Sequence, residues 1–383
     1  MTNERTVTSH QSALGSATER TDFVDSAARV EAAGSLTINA GQDVNNTGGV
    51  LSSGTTTSIT ATRDVNITAA QAVDSSTRTS KHTRSTTTQN SATATAGTDL
   101  SISAGQDLTA TASQLTAGGS VALSATDNLS LSSAADETHS YSKTHKVTSQ
   151  QDHVAQVATT VTAGGSTTLQ AGQDVTLTSS NVTAGTDAYV YAGDKLQLLA
   201  AQNSDYSLYD MKKKGSFGSK KTQHDETTQV TNVGSAVTSG GDLTLASNGD
   251  QLYQAAKLNS GNDLTISSGG AVTFEAVKDL DQETHTKSSS NLAWTSAKGK
   301  GNTDETLQQT EMVAKGKTVI NAVNGLNIDV KQINQETVSQ VIDTMVKADP
   351  SLSWIKDAEA RGDINWQQVK EVHDSFKYST RGR

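Results

Sequence analysis

Ala96 to Ser133 is one sentence written twice. AGTDLSISAGQDLTATASQLT is followed by AGGSVALSATDNLSLSS, so Leu100 and Ile102 return as Val121 and Leu123. Asp107-Leu108 returns as Asn128-Leu129 at the same interval. Each line alternates apolar and small polar residues, turns at Gly, Asp or Asn, and alternates again. That is a strand, a corner and a second strand. A fixed period of roughly 20 residues, with strands separated by corners, is the mark of a solenoid of stacked coils.

The pair recurs along the chain. Leu36/Ile38 returns as Thr57/Ile59, Thr167/Leu169 as Ala188/Val190, and Leu243/Leu245 as Leu264/Ile266, always at the interval set by Leu100 and Val121. A ninth coil, Thr318/Ile320, opens a fifth pair. Successive pairs begin at Leu36, Leu100, Thr167, Leu243 and Thr318, further apart than two coils alone would place them. Each large repeat is therefore two coils plus a longer, variable stretch.

Composition decides whether such a chain folds at all. Leu, Ile, Val and Phe make up under a fifth of the 383 residues, a level at which disorder has to be considered. The net charge of -10 is mild for this length, and a random coil would not space its few aliphatics so evenly. Proline occurs once, at Pro350, which suits long uninterrupted ladders because each proline deletes a donor. The absence of cysteine excludes disulfides and zinc-thiolate sites. No apolar run reaches the length of a membrane-spanning helix. The opening MTNERTVTSHQ lacks the layout of a signal peptide, so an export signal is expected on sequence outside this stretch.

These readings give an all-β chain: a right-handed parallel β-helix with protruding polar hairpins and a short C-terminal α-helical segment. Residues 1–31 read as a partial repeat or linker, 32–330 as the β-helix and 331–383 as the helical segment. Equivalent apolar positions, among them Ile102, Leu123 and Leu169, are expected to stack inside a rod of roughly 40 Å, or ~65 Å if each interruption adds a degraded coil. Asp43, Asp107 and Asp174 hold one corner of their coils. A calcium ladder or an acidic catalytic row is one reading of them. A corner residue that bonds its own backbone is the other, and the missing Gly-Gly-x-Gly-x-Asp nonapeptide favours it.

The interruptions, roughly 70–95, 134–162, 202–238 and 278–314, are polar, alternating and locally basic. KKKGSFGSKK (212–221) reads as a hairpin tip between lysine arms. Lys212, Lys213, Lys214, Lys220 and Lys221 are the candidate surface-binding residues, set against an anionic surface such as lipopolysaccharide or acidic glycan. The alternative role is protection of strand edges. His82, His139, His145, His153, His224 and His285 lie in the interruptions; a metal or pH-sensing surface is one reading, and solvated loop residues, favoured by spacings that match no ligand motif, is the other. No catalytic, cofactor-binding or metal-binding residues stand out. Nucleic acid is a poor partner for a chain of pI about 5.3 whose basic runs lack interleaved aromatics.

Beyond Ile333 the period becomes helical. Val338, Val341, Ile342, Met345 and Val346 form a stripe, and Asp349-Pro350 starts a second helix that Gly362 ends. Asp363 can cap a third, carrying Trp366, Val369, Val372 and Phe376. Helices of this kind would cover the open end of the solenoid.

The A-G-x-x-L-x-I-x-A-G-x-D-[VL] coils, their doubling and the Lys/Ser-rich interruptions resemble the second hemagglutinin-repeat region of filamentous-hemagglutinin-like exoproteins, a group that includes contact-dependent growth-inhibition effectors. SLSWIKDAEARGDINWQQVKEVHDSFKYS resembles the segment that follows those repeats. The resemblance implies a structural or adhesive stalk, secreted or on the cell surface, within a parent protein exported through an outer-membrane partner and able to carry a toxin. A β-helical polysaccharide-degrading enzyme is the other reading. It would need facing carboxylates ~5–10 Å apart, and no coil departs locally from the repeat to supply them.

Overall fold

A computed structural model describes residues 1–79, 81–291, 294–329, 365–366 and 373–382. Three short strands make each coil. In the coil that starts the second pair they are Thr93–Ala96, Leu100–Ala104 and Leu108–Thr111. Their counterparts stack in parallel register into three faces of nine, nine and eleven strands, which enclose one core. Even spacing in the sequence becomes direct opposition in space. Ile102 lies between Ile59 and Leu123, and Leu123 lies next to Leu169, all of them buried. Inward positions on the other faces stack in the same way, as Leu115 with Val161 and Leu108 with Leu129. The stack therefore follows from burial alone, since a slip of one residue would turn every aliphatic outward.

Stacking is continuous across the interruptions. Thr57–Ala61, which ends one pair, bonds directly to Leu100–Ala104, which starts the next. No interruption contributes a degraded coil, so the longer rod is ruled out. Each interruption instead leaves at the corner after the third face as a hairpin. The hairpins are Val7–Leu14 with Ala17–Val24, Ala70–Thr79 with His82–Asn90, Ala134–Lys143 with Val147–Val157, Ala201–Lys214 with Lys220–Val233, and Val277–Ser290 with Thr295–Gln308. They are called hairpins 1 to 5 below.

The hairpins also pair with one another. Together with His373–Gly382 they form a single antiparallel sheet of eleven strands. It stands off the rod as a fin, with polar and half-exposed residues on both faces. Geometry explains why the repeat is doubled. Two coils rise about 9.6 Å along the rod, and a two-stranded hairpin is about 9.6 Å wide. One hairpin per coil pair fills the fin without gaps, whereas one per coil would crowd it.

Two devices set the joints. The corner inside each pair turns through a left-handed residue, at Gly48, Ala112, Ser179 and Ala255. At Gly48 a β-carbon would meet that of Ala70 at 2.6 Å, so only glycine fits there. At the base of the fin, Gln89, Gln156 and Asn232 each donate their backbone N–H to a side-chain oxygen on the next hairpin. The acceptors are Asp136 (2.6 Å), Asn203 (2.7 Å) and Asp279 (2.7 Å). The same three residues send their own amide groups to the carbonyls of Ala135, Gln202 and Lys278. Neighbouring hairpins are thus fastened where they leave the rod.

The corner aspartates differ from expectation. They do not bond their own backbone but take the N–H of the matching residue one coil on. Asn128 donates to Asp107 at 3.0 Å, Lys195 to Asp174 at 2.9 Å and Ala271 to Asp250 at 2.8 Å. A second corner does the same, from Ser120 to Asp99 and from Lys317 to Asp263. The ladder bonds continue on either side of the corner, and at the corner itself a short carboxylate takes the N–H in place of a backbone carbonyl.

The C-terminal helical reading is corrected where the structure describes it. Asn365–Trp366 is a strand parallel to Leu326–Asp329, and His373–Gly382 is the last strand of the fin. Trp366 and Phe376 therefore sit on strands rather than on a helix capped at Asp363. The stripe from Val338 to Val346 and the segment from Asp349 to Gly362 lie outside the described residues.

Candidate surface-binding site

The fin's outer edge is made of hairpin tips, and there the basic residues gather. Lys212, Lys213 and Lys214 end one arm of hairpin 4, and Lys220 and Lys221 begin the other. A single 3-10 turn, Ser216–Gly218, joins them, and Gly218 supplies the left-handed φ of +74°. All five lysines are exposed. Lys213 lies directly across from Lys221, and Lys214 from Lys220. Like charges facing each other across a ladder are destabilising. Among the described residues none of the five has an ion pair. Opposite residues share a face, so Lys212, Lys214 and Lys220 project on one side of the fin and Lys213 and Lys221 on the other. The tip of hairpin 3 adds Lys143 and Lys146, also exposed.

The histidines are more organised than the sequence suggests. Four of them stand directly opposite an aspartate in register: His139 with Asp152, His153 with Asp205, His224 with Asp210 and His285 with Asp225. All four pairs are closed by Nδ1, at 2.5 Å for His153, 2.6 Å for His224 and 3.0 Å for His285. Two pairs lie within hairpins and two join neighbouring hairpins. Among the described residues no cluster of three such side chains is arranged to hold a metal. The register explains what was missed. Residues equidistant from a hairpin tip face each other, so the pairs inside hairpins 3 and 4 could be found once the tips were located. The pairs between hairpins leave no local signal.

On one face of hairpin 4 the pairing extends into a chain. The Tyr206 hydroxyl donates to Glu226 at 2.9 Å, and Glu226 lies 3.4 Å from His224, which bonds Asp210. Burial, with Glu226 beside it, pushes the Tyr206 hydroxyl up to about 12. The hydrogen bond to Asp210 raises the His224 imidazole above its ordinary value.

The family model for the hemagglutinin repeat matches four successive segments, 7–83, 73–152, 141–218 and 214–346. They overlap at residues 73–83, 141–152 and 214–218, inside hairpins 2, 3 and 4. The chain belongs to the hemagglutinin repeat family. Each of the first three segments is thus a pair of coils with hairpin strands on either side, and the fourth runs on through hairpin 5 into the ninth coil. Comparison with curated proteins and with solved structures found no match. In structural terms the repeat is a rod segment that carries its own share of the fin, so every added repeat lengthens both.

Proposed function

We propose that this chain is an adhesive stalk segment of a surface exoprotein, and that it meets neighbouring cells through the basic edge of the fin rather than through the coils. One observation carries the reading: the hairpin 4 tip sets lysine opposite lysine, with no ion pair to either among the described residues, at a cost to its own stability. A hairpin serving only as an edge guard has no need to concentrate like charge at its tip. The rod supplies stiffness and reach, and the fin supplies display. The partner class is an anionic cell surface, bacterial or host, such as lipopolysaccharide or an acidic glycan. Export of a longer parent through an outer-membrane partner, and delivery of a toxin carried by that parent, rest on the family resemblance.

The test replaces Lys212, Lys213, Lys214, Lys220 and Lys221 with Gln and measures binding to whole cells and to lipopolysaccharide at low and moderate salt. The parent should bind and lose binding as salt rises, because exposed charges are screened over about 10 Å at 0.1 M. The variant should bind weakly at both. Equal, salt-indifferent binding by the two proteins would overturn the proposal.

A further inference from the structure

We propose that the step between the tips of hairpins 3 and 4 is a binding site for a phosphate-bearing saccharide. The inference rests on the adhesive reading and names the chemical group that this edge takes.

The site arises from unequal hairpin heights. Hairpin 3 turns back at residues 144–146, and its last pairing with hairpin 4 is Val147 with Met211. Hairpin 4 continues to Lys214 and Lys220. The shorter tip becomes the floor of a cleft and the taller hairpin its wall. The cleft encloses about 510 Å³, within the range of roughly 300–1,000 Å³ usual for small-molecule sites.

Its chemistry is one-sided. Lys143, Thr148, Asp210 and His224 form a single row across four strands, each opposite the next, so all face the same way. Lys146 and Lys212 join the lining from the two tips, held together where the Lys212 N–H donates to the Lys146 carbonyl at 2.8 Å. Three lysines therefore reach one concavity, and among the described residues none has an ion pair. The lining holds one carboxylate, Asp210, and His224 already engages it at 2.6 Å. What is left is a surplus of positive charge in an acidic chain. The remaining polar lining is threonine hydroxyl, glutamine amide and the His145 imidazole. Lysine ammonium groups suit phosphate as point charges, and hydroxyl and amide groups suit a sugar ring.

The experiment titrates the full chain by calorimetry with three probes: a glucosamine disaccharide bearing one phosphate monoester, the same disaccharide without it, and inorganic phosphate. The phosphorylated disaccharide should bind at least tenfold more tightly than either of the others. K143Q/K146Q should weaken it about tenfold. K315Q/K317Q, which removes the same charge from a corner of the rod away from the cleft, should leave it unchanged. All four lysines are exposed, and an unaltered circular dichroism spectrum confirms that the variants fold. Failure of the parent to bind the phosphorylated disaccharide overturns the cleft. So does equal weakening by the two double variants, which would leave only diffuse charge. Phosphate binding as tightly as the disaccharide overturns the saccharide assignment. In each of these cases salt-sensitive cell binding that depends on the five hairpin 4 lysines would still stand.

Discussion

Asn128 donates its backbone N–H and its side-chain amide to one oxygen of Asp107, at 3.0 and 2.9 Å, from the same corner one coil further on. The carboxylate is a rung between coils, not a local turn-former, and a single substitution separates the two roles. Asp107→Ala should cost about 1–2 kcal/mol, because a corner N–H loses its acceptor. Asp107→Asn should be nearly neutral. Asn128 already accepts the N–H of Asp174 with an amide oxygen at 3.3 Å. Urea denaturation of the two variants checks this, and equal destabilisation would count against the inter-coil role.

One polar interruption of the core can be dissected. Gln251 occupies a buried ladder position between Leu196 and Val272. It accepts the Tyr253 hydroxyl at 2.8 Å and donates to Ser247 and to the Ser267 carbonyl. Tyr253 itself stacks on Phe274 at 5.1 Å. Tyr253→Phe should cost about 1–3 kcal/mol by leaving the Gln251 oxygen unpaired in the core. Gln251→Leu should also destabilise, by orphaning the Tyr253 hydroxyl. Combining them should recover much of the loss, since an apolar pair leaves neither group unpaired. Additive costs in a double-mutant cycle would show that the two side chains act independently.

Ile102→Asp tests the stack as a whole. Ile102 is fully buried, and the row in which it lies is apolar on both sides. An unpaired carboxylate there should cost several kcal/mol. The expected result is a lower melting temperature and less β-sheet circular dichroism. A parent-like melt would refute the inward assignment.

Hairpin 4 should respond to pH through His224. Its imidazole is raised above the ordinary 6.5, first by the hydrogen bond to Asp210. A raised histidine stabilises the fold fully below its unfolded value, and the contribution disappears as pH climbs through the folded one. The pair is more than a third exposed, so the effect should be about 0.5 kcal/mol or less. An NMR titration should place the His224 midpoint above 6.5 in the parent, and Asp210→Asn should lower it. Amide protection along 201–233, corrected for intrinsic rates, should be greater at pH 6 than at pH 8 in the parent alone. An unmoved midpoint in Asp210→Asn would assign the shift elsewhere.

Legibility followed burial. The rows through Ile102 and Leu108 are readable because an aliphatic every second residue, repeated once per coil, has one arrangement that buries it. The lysine tip at 212–221 is readable because Gly-Ser-Phe-Gly between basic arms marks a turn. The fin is not. Its strands are polar on both faces, and no hydrophobic pattern says which hairpin pairs with which. The opposition of His153 and Asp205, 52 residues apart, depends on that pairing. The helical stripe around Trp366 and Phe376 misleads for a related reason. Apolar spacing taken alone points to a helix, while an open sheet edge at Thr295–Gln308 offers Phe376 a strand.

The sequence by itself determined the rod, its coil length, its core and the places where hairpins leave it, because each depends on period and burial, which are local properties of the chain. Tertiary structure decided that the hairpins share one sheet, that corner carboxylates bridge coils, and that four histidines face four aspartates. Those outcomes depend on the match between two coil rises and one hairpin width, a distance that exists only once the coils have stacked.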